Sequence, residues 1–313
     1  SCAKRGMIQD KSVMMLFFDG LQHFYGLPNY LWSDAVAFEY CNGLMHGCSF
    51  TRDLFYDKEG NINNKIQDVK EGVGKSHMPF KLYMAPLRGF TDQIYRNLFS
   101  EHFGGFDLAV APFIASTSGK RIRPKYVRGL LPENNTGMPV VPQILSKSAE
   151  DFIVLANCLF DMGYDTINWN LGCPHPQVTK KMRGSGLLPH TERIQAFLDE
   201  AVPAMKGKLS IKARLGQNSR DDLHRLAPIL NQYPLEEVII HPRTGLQMYE
   251  GNVDLEGFET CLSILHHPVV YNGDIRSAGD FSALSGRFKN VDRWMIGRWS
   301  LVNPFLPGVI KTG

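Results

Sequence analysis

The chain has no apolar run near the ~18 residues that a membrane-spanning helix requires. Val13 to Phe18 is apolar, but Asp19 ends it, and no signal-peptide cleavage pattern comes after it. A cytoplasmic protein with no membrane contact is therefore expected. Cysteine is sparse and unpaired in pattern: Cys2, Cys41, Cys48, Cys158, Cys173 and Cys261 include no Cys-x-x-Cys spacing. That excludes a disulfide framework and points to a reducing compartment. Cys41 and Cys48 with His46 between them make a poor zinc signature, so no metal is expected. Charge of one sign is also lacking. The net charge of +3 does not announce nucleic acid by itself.

What is present is a globular composition, 43% hydrophobic and 21% charged over 313 residues. That length suits one large α/β barrel or two ordinary domains. Residues 1–77 are rich in aromatics but show no strand–helix alternation, and they carry 8 basic against 9 acidic side chains. They read as an N-terminal extension of unassigned role, with a polar linker-like stretch from Asn61 to His77. Met78 would make a credible start for the remainder of the chain. The chain itself opens on Ser1, as a fragment or processed form would.

From Phe80 the rhythm changes. Eight short apolar runs are expected as strands: Phe80–Ala85, Asp107–Ala111, Val140–Leu145, Thr166–Asn170, Leu209–Arg214, Glu237–His241, Pro268–Tyr271 and Arg293–Ile296. Segments with apolar residues at helical spacing lie between most of them, such as Phe152, Leu155, Ala156 and Leu159. Ser148…Asp151, Ser219…Asp222 and Ser277…Asp280 have the spacing of helix-capping pairs. Eight strand–helix units in this length predict a closed parallel (β/α)8 TIM barrel over 78–313. The alternative, a doubly wound sheet, usually carries a glycine-rich loop after its first strand, and Pro86-Leu87-Arg88-Gly89-Phe90 is not one.

A barrel places its chemistry at the C-terminal ends of its strands. Read there, the chain offers Ala85-Pro86, Gln143, Asn170 with Cys173, Lys212 with Arg214, His241 with Arg243, Asn272-Gly273-Asp274 and Gly297-Arg298. Each alone has a bland explanation, but together they ring a barrel mouth with polar groups, as a ligand site would. Cys173 stands between Gly172 and Pro174, on a turn expected to stay non-helical until after Gly186. A buried cysteine acting as a small apolar residue is the alternative there. The last two turns present small residues where backbone N–H groups can close on an anion, which suits a phosphate.

These residues carry a resemblance. The stretch from about Leu82 to Leu306 resembles the flavin-dependent tRNA dihydrouridine synthase family. The likeness rests on Met84-Ala85-Pro86, Val141-Pro142-Gln143-Ile144, Asn170-Leu171-Gly172-Cys173-Pro174, Gly184-Ser185-Gly186-Leu187-Leu188, Lys212-Ala213-Arg214-Leu215-Gly216, His241-Pro242-Arg243-Thr244, Asn272-Gly273-Asp274-Ile275 and Gly297-Arg298. It implies an FMN barrel that reduces a tRNA uridine to 5,6-dihydrouridine, with NADPH or NADH as reductant. By the same resemblance Cys173 gives the proton to uracil C5 after hydride reaches C6. Pro86, Leu87, Arg88, Gln143, Lys212, His241, Asn272, Gly273, Asp274, Gly297 and Arg298 would contact FMN, and Asn170 would border the target base.

RNA binding requires cations around the mouth. Residues 119–129 hold five basic and no acidic side chains, Lys120, Arg121 and Arg123 among them, and Lys180, Lys181 and Arg183 lie in the Cys173 loop. Arg214 joins this set. The nearest alternatives are a flavin barrel acting on a free pyrimidine or small enone, and a flavin- or RNA-binding module without turnover. The sequence departs from the family pattern at Asn168, where an acid is more usual, and at Trp299, where a glycine is and where crowding of the phosphate turn is expected. It also stops at Gly313, so the family's helical tRNA-recruiting domain is absent or cut off, and poor tRNA affinity is expected if the chain is complete. A monomer is expected.

Overall fold

The computed structural model describes residues 80–118, 122 and 124–313. The expected extension at 1–77 lies outside them, as do Lys120, Arg121 and Arg123. Each strand lies on a β-branched or apolar run. β1 is Lys81–Met84, β2 Leu108–Val110, β3 Ile114–Ala115, β4 Val140–Val141 and β5 Gln143–Leu145. They are succeeded by β6 Thr166–Leu171, β7 Lys208–Gly216, β8 Leu235–Thr244, β9 Val269–Tyr271 and β10 Arg293–Ile296. All pairings are parallel, in the order β3-β5-β6-β7-β8-β9-β10-β1-β2-β4.

The two ends of that order are one piece of chain. β4 pairs with β2 and β5 pairs with β6, and only Pro142 separates them. Proline has no N–H to give a ladder, so it splits the expected strand 140–145 in two. Its carbonyl accepts from Asn168 N at 2.8 Å and carries the pairing on to β6. The sheet closes there, with eight strand positions as the sequence predicts. Among the described residues, β3 is the one strand not expected. Two residues long, it is defined only by its pairing with β5.

Side chains alternate across each strand, which sorts them into two cores. On β6, Ile167, Trp169 and Leu171 face the helices, and on β7 Leu209, Ile211, Ala213 and Leu215 do the same. Trp169 stacks on Phe197 at 3.8 Å between ring centres. The opposite face fills the barrel. Tyr83, Ala85, Val110, Ile239, Val270 and Met295 form its apolar plug. Beneath the plug Tyr83 Oη and Arg293 Nη1 both donate to Glu237 Oε2, at 3.0 and 2.8 Å. Above it the interior positions turn polar.

Helices pack outside: α1 (Gln93–His102), α2 (Pro124–Val127), α3 (Ala149–Asp161), α4 (Pro176–Thr179) and α5 (Thr191–Ala204). Beyond them come α6 (Asp221–Leu230), α7 (Leu255–Ile264), α8 (Ala278–Arg287), α9 (Arg298–Val302) and α10 (Leu306–Thr312). Ser148 and Ser277 cap α3 and α8 as expected, each accepting from the N–H three residues on. Ser219 does not cap in this way. Its hydroxyl bonds Asp221, and Asp222 instead accepts from Gln217 N and Arg225. The Cys173 loop also departs from expectation, because α4 forms before Gly186. Pro176 presets its first turn and His175 Nδ1 accepts from Gln177 N at 3.3 Å. No helix among the described residues is long and apolar enough to cross a membrane.

Candidate active site

The polar end of the barrel is built by strand alternation. Asn168 and Asn170 on β6, and Ser210, Lys212 and Arg214 on β7, occupy the inward positions between the outward apolar ones. The register sets Asn168 beside Ser210 and Asn170 beside Lys212. Gln143 comes from the adjacent β5, where it pairs with Asn168.

Cys173 sits on a turn held from three directions. Asn170 Oδ1 accepts from the N–H groups of Gly172 and Cys173, at 3.1 and 2.9 Å. Arg214 Nε donates to Gly172 O at 3.0 Å. Ser185 N donates to Cys173 O at 3.1 Å, and the Ser185 hydroxyl lies the same distance from it. The returning loop comes so close that a side chain at residue 184 is excluded. A Cβ on Gly184, at φ +58°, would lie 2.5 Å from Cys173 O. Burial pushes the Cys173 thiol up, against the opposing pull of the His175 N–H, Arg214, Arg88 and Lys212. The thiol is thus held in its protonated form at neutral pH.

Around it the field is cationic. Burial, helped by Arg214, drives the Lys212 ammonium down to about 7, and among the described residues no carboxylate stands among the charges acting on it. His241 is pushed well below its ordinary value by burial and by Arg214, Lys212, Arg243 and Arg298. Its Nε2 lies 3.2 Å from Arg243 Nη1, which can only donate, so the ring proton is on Nδ1. Arg243, buried, grips Asp274 with both Nη atoms at 3.2 and 2.7 Å. Asp274 also pairs with Arg276 and Arg298. Burial alone would raise its carboxyl, but the three guanidinium groups hold it below the usual range.

The structure thereby joins Cys173, Asn170, Gln143, Lys212, Arg214, His241, Asp274 and Arg298 in one network. Asn272 donates to Met295 O at 3.0 Å at the head of β9. Pro86, Leu87 and Arg88 form the turn after β1, with Arg88 5.4 Å from the Phe113 ring centre. A Cβ on Gly273 would lie 2.1 Å from Tyr271 Oη, so only glycine fits there. Arg214 is only 2% exposed and donates Nη1 to Thr244 O at 2.7 Å as well, so it braces the turn from below. Lys180 and Lys181 are exposed on the Cys173 loop and Arg183 is half-buried. At Trp299 the Arg276 guanidinium lies 5.5 Å from the ring centre.

Sequence reasoning missed Tyr249, whose ring lies 4.5 Å from the Arg298 guanidinium and 5.3 Å from that of Arg214. It lies in the loop after β8, where no periodicity marks it. It also missed Ser185 and Ser210. Ser210 was detectable as the inward neighbour of Lys212 two residues on.

The donor set fits an anionic flavin nucleotide. Among the described residues no carboxylate acts on Lys212, and Asp274 is the carboxylate that answers Arg243, Arg276 and Arg298. Gly297 leaves a gap beside Ala85 and Leu87, where a Cβ would sit 3.4 and 3.7 Å from their side chains.

The fold is shared with known structures. The old yellow enzyme homologue from Zymomonas mobilis superposes with a TM-score of 0.54 at 12% identity, over 75% of this chain and 91% of its own. Morphinone reductase gives 0.51 at 14%, over 74% and 86%. At that identity the likeness is one of fold. tRNA-dihydrouridine synthase B of Pasteurella multocida is 28% identical over 246 residues, covering 77% of this chain and 71% of the relative. The tRNA-dihydrouridine(16) synthase of Neisseria meningitidis is 28% identical over 239 residues, covering 74% and 71%. The profile of one family spans residues 83–313, nearly the whole barrel, and the chain belongs to that family, dihydrouridine synthase (Dus).

Proposed function

We propose that this protein reduces a uridine of tRNA to 5,6-dihydrouridine, using FMN recharged by NADPH or NADH. The observation that carries the reading is the half-buried Cys173 thiol, kept protonated and fixed on a braced turn at the mouth of a cationic barrel. Support comes also from the family and from its tRNA-dihydrouridine synthase members. Pro86, Leu87, Arg88, Gln143, Lys212, His241, Asn272, Gly273, Asp274, Gly297 and Arg298 are assigned to holding FMN. When bound, FMN supplies the hydride that uracil receives at C6.

The protein's own residues supply the rest. Cys173 Sγ gives its proton to C5, and the thiolate left behind regains one from solvent. The nearby cations Arg214, Arg88 and Lys212 stabilise that thiolate while it lasts. Lys180, Lys181, Arg183 and the basic residues Lys120, Arg121 and Arg123 are assigned to the RNA backbone. The target base leaves its stack to reach the thiol. The enzyme is read as a cytoplasmic monomer.

The test is anaerobic. The flavin-loaded protein should bleach with NADPH and recover its colour with unmodified tRNA but not with free uridine. Cys173→Ala should slow recovery by ~10²–10⁴-fold, the usual range for a lost general acid, and leave bleaching unchanged. Recovery with free uridine alone would favour a small-pyrimidine reductase. An unaffected Cys173→Ala would remove the assigned acid.

A further inference from the structure

The Cys173 turn is the end of a longer chain of bonds. Asn170 Oδ1 must face it, because the N–H groups of Gly172 and Cys173 can only donate. Asn170 Nδ2 is then turned to Gln143 Oε1, at 2.7 Å. Gln143 Nε2 in turn donates to Asn168 Oδ1 at 2.7 Å, and Asn168 Nδ2 to Ser210 Oγ at 2.8 Å. The sense of all three amides is fixed by the two backbone donors, and none can flip alone without setting donor against donor. Gln143 and Asn168 are 0% exposed and Ser210 1%, so water cannot repair a break.

We propose that Asn168 and Ser210 are positioning residues for the Cys173 thiol, acting through the amide order of Gln143 and Asn170. Neither touches the turn. Asn168 Oδ1 accepts from Gln143 and so supports its sense, and Ser210 Oγ keeps the far end of the Asn168 amide hydrogen-bonded in the buried interior. An aspartate at 168 would accept from Gln143 equally well and from the Ser210 hydroxyl instead, so it preserves the order while adding a charge. A leucine there would leave Gln143 Nε2 buried with no acceptor and free the Asn170 end of the relay.

The test reads the thiol directly, with iodoacetamide on the full chain as purified and peptide-resolved detection across pH. The plateau rate at high pH reports how the sulfur is presented, and the midpoint reports its electrostatics. Buried Cys261 is an internal monitor of the fold. Asn168→Leu should raise the Cys173 plateau at least fivefold with Cys261 as protected as in the parent, and Ser210→Ala should move it the same way by less. Asn168→Asp should keep the plateau within twofold and move the midpoint to higher pH. Plateaus within twofold in both Asn168→Leu and Ser210→Ala would overturn the proposal. So would a Cys173 rate that rises only together with that of Cys261, or an Asn168→Asp variant that behaves like Asn168→Leu.

A second arm rests on the function proposed above. Asn168→Leu should slow tRNA-driven reoxidation at least tenfold, with NADPH reduction within twofold and Asn168→Asp near the parent. Equal loss of both half-reactions would count against positioning. If the parent enzyme is not reoxidised by tRNA at all, the proposed function fails, and the alkylation arm still decides the relay.

Discussion

An ammonium group largely withdrawn from water beside a guanidinium, with no carboxylate among the described residues to answer it, gives up its proton early. Lys212 is in that position, at about 7 in the folded chain against an ordinary value above 10. In the unfolded chain it stays charged up to its ordinary value. Between pH 7 and that value the unfolded state therefore binds the extra proton, and stability rises with pH across the window. Flavin-free protein is expected to gain stability from pH 7 to pH 9 by urea denaturation, and Lys212→Met to flatten that slope. A bound anion reverses the balance by favouring the charged form. FMN affinity, by fluorescence titration, should fall over the same interval in the parent and much less in Lys212→Met. An identical pH slope in parent and variant would remove Lys212 from the anion site.

At the scale of elements, the caps give the clearest contrast. Ser148 accepts from the Asp151 N–H at 3.2 Å and closes α3, whereas Ser219 only meets Asp221 ahead of α6. Ser148→Ala should cost about 1 kcal/mol by urea denaturation, and Ser219→Ala under ~0.5. Equal costs would mean that spacing rather than geometry makes the cap. The same contrast shows what the sequence can carry. The eight strand positions were legible because apolar runs and their alternation belong to each strand separately. Pro142 within the third run was visible, but its role as the join that closes the barrel depends on which strands flank it. β3 was not legible, since two residues have no period. The site divided in the same way. Strand-end residues such as Asn170, Lys212 and His241 could be read in order, because a barrel's topology says where they point. The relay through Ser210 and Asn168 could not, because it depends on the register between β5, β6 and β7. α4 was missed because a histidine ring, not a serine, receives its first N–H.

Over the described barrel as a whole, charge is arranged by depth. The barrel floor closes on the neutralised set Tyr83, Glu237 and Arg293, while the mouth gathers Arg88, Lys212, Arg214 and Arg298, with Asp274 as the carboxylate that pairs with Arg298. Lys180 and Lys181 extend that positive field outward on the loop that holds the thiol. Both are exposed, and the bonds that brace the turn come from Asn170, Arg214 and Ser185 instead, so removing the lysines should weaken RNA capture and spare the chemistry. Each phosphate contact displaces condensed counterions, so the logarithm of affinity falls with the logarithm of salt in proportion to the contacts made. A Lys180→Ala/Lys181→Ala pair should flatten that slope for tRNA by ~1.4–1.8 if both lysines reach phosphates. The rate of NADPH bleaching and the rate of recolouring at saturating tRNA should stay within twofold of the parent. A slope that does not change would place tRNA away from the Cys173 loop. A slope that flattens together with a slower saturating rate would mean that the lysines also order the turn. That second result would tie the outermost charge of the barrel mouth to its innermost proton.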